Sequence, residues 1–101
     1  MAEVASYNLL FYGGPEGYQT NRAQIQLSDA NGETLAWVRF NDPDMIFEND
    51  YEDEGIVRMH LPSAMFHSVL DVLRHEEPIE VYFIGGQSFL GTITAPVGED
   101  G

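Results

Sequence analysis

The stretch that decides the fold is residues 22–40, RAQIQLSDANGETLAWVRF. Ala23, Ile25 and Leu27 alternate with Arg22, Gln24, Gln26 and Ser28, the period of a strand with one buried face. Asn31-Gly32 follows, a pair that tolerates positive φ and signals a hairpin. Residues 33–40 return as a second strand, with Leu35, Ala36, Trp37, Val38 and Phe40 making both of its faces apolar. Two strands joined by a short turn start an antiparallel sheet.

Outward from this hairpin, residues 3–12 read as a strand with Ala5, Tyr7, Leu9 and Phe11 on one face. Gly13-Gly14-Pro15-Glu16-Gly17 ends it, since glycine and proline there cannot continue a ladder. Residues 41–54 read as irregular: Pro43 interrupts pairing, and Met45, Ile46 and Phe47 tuck the segment back onto the body. Residues 55–61 form a fourth strand, with Val57, Met59 and Leu61 opposite Arg58 and His60. Residues 63–76 carry the helix pattern, with Phe66, Val69, Leu70 and Leu73 at the spacing of one buried stripe. Ser63 after Pro62 is the expected N-cap, and Pro78 ends the helix. Residues 79–84 and 89–94 read as two strands around Gly85-Gly86-Gln87-Ser88.

The expected order is β-β-β-β-α-β-β, an α+β fold. Tight turns between neighbours predict a mainly antiparallel sheet of about six strands, packed on one helix. The expected shape is strongly curled around that helix or partly closed into a barrel, because closure removes exposed strand edges. Residues 1–101 make a single domain, with a frayed acidic tail from about residue 96.

The charge is the strongest compositional feature. Four arginines, no lysine and seventeen carboxylates give a formal net charge of −13. Such a surface repels phosphate backbones and anionic lipid, so neither direct nucleic-acid binding nor membrane binding is expected. There is no cysteine, which fits a reducing cytoplasm. No apolar run approaches the roughly 20 residues of a membrane span, and residues 1–6 lack the pattern of a secretory signal.

Catalytic and metal signatures are weak. Asp50-x-Glu52-x-Glu54-Gly55 resembles the start of a calcium loop, but the twelfth position is Leu61, where a carboxylate ligand is needed. His67, Asp71 and His75 share one helix row, yet they span about 12 Å by helix rise, too long for one ion. Pairs such as His60 with Glu54 arise by chance in a chain this acidic. No nucleophile-elbow or phosphate-loop motif is present. No cofactor and no catalytic activity are expected.

A sheet covered by one helix should alternate cleanly between apolar and polar. Leu10, Tyr12, Leu35, Trp37, Tyr82, Ile84 and Leu90 break that alternation. The resulting expectation is a small protein-binding module of inhibitor, immunity or adaptor type. It docks a basic protein partner through Glu48, Asp50, Glu52, Asp53 and Glu54, with contact area from Trp37, Tyr82 and Tyr12. One alternative is a self-associating structural protein, a homodimer through the aromatic face, whose charge only confers solubility. A second is a weak divalent-metal-binding protein.

Overall fold

The computed structural model describes residues 2–92. The expected tail from residue 96, and the end of the last expected strand at Ile93 and Thr94, lie outside them. The fold is a small single α+β domain, mostly sheet, with one short helix. Eight strands precede and follow that helix: β1 Ala2–Glu3, β2 Ser6–Phe11, β3 Ala23–Ser28, β4 Thr34–Asn41, β5 Tyr51–Asp53, β6 Ile56–Pro62, β7 Ile79–Ile84 and β8 Gln87–Thr92. The helix α1 spans Phe66–His75.

The strands form two sheets, which overturns the single curled or barrel-like sheet of six. A five-stranded sheet has the order β2-β3-β4-β6-β5, and a small sheet has the order β1-β7-β8. The larger sheet is mixed, because β4 and β6 run parallel, and it is neither closed nor curled. Sorting by burial explains this order. In β6, Val57, Met59 and Leu61 lie opposite Ala36, Val38 and Phe40 of β4, so both strands present apolar residues to one core. β5 reads Tyr-Glu-Asp, too polar for a central position, and takes the edge. The chain therefore leaves β4, crosses one end of the sheet through residues 42–50, runs down as β5 and hairpins back as β6 between them. The expected first strand is also split. β1 pairs with β7 in the small sheet, whereas β2 pairs with β3 in the large one. Val4 donates to the Ile79 carbonyl and Ala5 to the Ser28 carbonyl, so the chain changes sheets within two residues.

The decisive hairpin forms as the alternation demands. Ala23, Ile25, Leu27, Ala36, Val38 and Phe40 are buried together. Full burial of a valine, leucine, isoleucine or phenylalanine side chain contributes about 1.5–3 kcal/mol. At the turn only Gly32 takes positive φ; Asn31 does not, and the Asp29 carboxylate accepts the Asn31 and Glu33 amides at 2.9 Å each. The last hairpin is a two-residue loop in which Gly85 and Gly86 both have positive φ, so Gln87 and Ser88 belong to β8.

One face of the large sheet is covered twice. The α1 stripe lies on it, with the Phe66 ring 5.0 Å from Phe40 and 4.9 Å from Phe11. The small sheet adds Val81, Phe83 and Leu90 to the same core. Ser63 is not the N-cap of α1; Ser63–Met65 is a 3₁₀ turn and Met65 occupies the cap position without a side-chain bond. No helix among the described residues is long and apolar enough to cross a membrane.

Candidate functional site

The carboxylates at 48–54 ride on the end crossing and on the β5–β6 hairpin. Their positions divide them into two groups. Glu52, Asp53 and Glu54 are exposed, on and beside the free edge of the large sheet. Glu54 and Gly55 form the hairpin turn, both at positive φ and both exposed. Among the described residues the one arginine–carboxylate bridge is Arg22–Asp42, so this tip has no arginine counterion.

Asp50 belongs to a different group. Its side chain is only 24% exposed. One oxygen accepts the His60 backbone N–H at 2.8 Å and lies 3.2 Å from His60 Nδ1. The other accepts the Ser88 hydroxyl. Asp50 thereby joins the end crossing, β6 and the small sheet at one carboxylate. The His60 ring is 1% exposed, with Nε2 3.6 Å from Glu48, whose own side chain is 61% exposed. Serine, histidine and aspartate thus meet here in the wrong order for nucleophilic catalysis. The serine proton goes to the carboxylate, and no imidazole stands ready to receive it. The cluster fixes structure.

The expected aromatic residues do not form one surface. Tyr82 lies on β7, stacked on Phe89 of β8 at 5.0 Å between ring centroids. It lines a shallow hollow with Glu52, Gly55, Val57 and Ile84, beside the acidic tip. Trp37 sits half-buried on the face of the large sheet away from the helix, in a cross-strand row with Asn8, Gln26, Arg58 and Tyr51. Arg58 lies 6.0 Å from the Tyr51 ring centroid. Tyr12 is beyond the end of β2, against Tyr18 at 5.2 Å. The structure therefore brings Tyr82 beside Glu52, and places neither Trp37 nor Tyr12 in that hollow.

The remaining sequence candidates separate as well. Asp71 pairs with His75 at 2.9 Å on the exposed side of α1. Among the described residues no three histidines or carboxylates are grouped to hold a metal ion. Sequence reading missed Ser88 and His60 as partners of Asp50. The partners are 38 and 10 residues away, and no local pattern marks them. It also missed Phe89 as the ring beneath Tyr82, although cross-strand pairing around Gly85-Gly86 implies that contact. No family model, no curated protein and no solved structure matches this chain.

Proposed function

We propose that this chain is a non-catalytic binding module that docks a basic segment of a protein partner on the β5–β6 hairpin. The observation that carries the reading is the exposed trio Glu52, Asp53 and Glu54. It lies at a free strand edge without arginine counterions, and Glu52 shares a hollow with Tyr82, whose ring stacks on Phe89. Uncompensated carboxylates raise the encounter rate with a cation and orient it. The stacked aromatics and Ile84, which is exposed, supply contact area that charge alone does not. The backbone of β5 offers its unpaired side to an extended segment.

The test is calorimetric titration with arginine-rich peptides against two variants of equal net charge. One carries Glu48, Glu52 and Glu54 as glutamine and Asp53 as asparagine. The other neutralises Glu3, Glu16, Glu33 and Glu77 in the same way. The first is expected to weaken binding by about tenfold or more, the second far less. Equal losses would reduce the interaction to diffuse attraction and remove the site. Asp50 is left unchanged in both, because its carboxylate holds the fold.

A further inference from the structure

The two edges of the large sheet differ in chemistry. β5 carries Glu52 and Asp53, so two copies of this edge repel each other. β2 reads Ser-Tyr-Asn-Leu-Leu-Phe, with no charge, no proline and no bulge against β3. In a chain of net charge −13 this is an uncharged edge six residues long. Its apolar side chains are only partly covered: Leu9 is 41%, Leu10 53% and, despite the Phe66 ring, Phe11 60% exposed. Met65, the cap residue of α1, is exposed as well. Both backbone pairing and core layer are therefore unfinished along β2. Among the described residues no strand lies on its outer side.

We infer that β2 pairs antiparallel with β2 of a second copy of this chain, making one continuous ten-stranded sheet. Charge selects this occupant. A basic partner finds no carboxylate on β2 and is drawn to the opposite edge. A second copy is repelled at the β5 edge and meets no like charge on β2.

The register follows from the faces. Tyr7, Leu9 and Phe11 lie on the core side, opposite Leu27, Ile25 and Ala23. A two-fold axis normal to the sheet keeps both cores on one side only if residues of the same parity face each other. Centring it on Leu9 sets Leu9 against its own copy, Tyr7 against Phe11 and Asn8 against Leu10. Aromatic and aliphatic cross-strand pairs of this kind stabilise antiparallel ladders.

Salt dependence separates this inference from the proposed docking of a basic partner. Screening weakens attraction between the acidic hairpin and a cation. It strengthens association of two chains that share a large negative charge, because the Debye length falls to about 8 Å at physiological ionic strength. Sedimentation equilibrium of the full chain is expected to show a dimer whose population rises with sodium chloride. Leu9→Lys opposes two like charges at the axis and is expected to weaken association by at least about tenfold. Circular dichroism melting reports whether that variant is folded. A second variant makes the test independent of it. The chain has no cysteine. Leu9→Cys, with directly opposed Cα atoms about 4.5–5.5 Å apart and so within the span of a disulfide, is expected to oxidise to a covalent dimer. Glu52→Cys on the other edge is expected to stay monomeric. A monomer at every salt concentration overturns the inference. So does a dimer indifferent to Leu9→Lys, or a Leu9→Cys chain that cross-links no faster than Glu52→Cys.

Discussion

Arg22 shows how much a single cation can hold in a chain that has so few. Its Nε donates to Asp42 at 2.8 Å, and its terminal nitrogens donate to the carbonyls of Tyr12, Gly14 and Pro15 at 2.6, 2.9 and 3.2 Å. One planar guanidinium thereby ties the loop after β2 to the residue after β4, a geometry an ammonium cannot reproduce. The hydrogen bond from Arg22 holds the Asp42 carboxyl below its ordinary value of 3.8, aided by the Ser63 hydroxyl. A folded pKa below the unfolded one means that the stabilisation is complete above the unfolded value. It is lost as pH falls through the folded value. Asp42→Asn is therefore expected to lower the urea midpoint at neutral pH and to flatten its decline in the acid range. Midpoints measured from neutral pH down to strong acid check this; parallel curves for variant and parent would refute it.

At the scale of elements, the β5–β6 hairpin depends on two left-handed residues. Glu54 has φ 54° and Gly55 has φ 79°. A Cβ on Gly55 would touch nothing within 4 Å, so any loss in Gly55→Ala is backbone strain alone, about 1 kcal/mol. Gly17 is the contrasting case, because a Cβ there collides with the Asn21 carbonyl as well as adopting positive φ. Gly17→Ala is expected to cost clearly more than Gly55→Ala in denaturant unfolding, and equal losses would contradict the close approach. Glu54-Gly55 is a weaker hairpin signal than Asn31-Gly32, and its three-residue strand has too few positions to show alternation. Residues 41–54 accordingly read as irregular, although their last three paired residues fix the sheet order.

For the molecule as a whole, seventeen carboxylates face four arginines, and self-repulsion opposes the folded state. The melting temperature is expected to rise with sodium chloride. Calcium or magnesium at matched ionic strength is expected to produce the same rise, since Asp50 is committed to His60 and Ser88. A larger shift with one divalent ion, seen by scanning calorimetry, would instead place a cation among the carboxylates of the acidic segment.

Local pattern determined the β3–β4 hairpin, the apolar stripe of α1, the Gly85-Gly86 turn and the acidity of residues 48–54, because period, turn chemistry and charge belong to neighbouring residues. Tertiary structure alone decided that β6 inserts between β4 and β5, that β1 leaves the large sheet for the small one, and that Asp50 turns inward while Glu52, Asp53 and Glu54 turn out. It also separated Trp37 from Tyr82. These outcomes depend on which strands bury both neighbours in one core, a competition among residues far apart in the chain that no local period encodes.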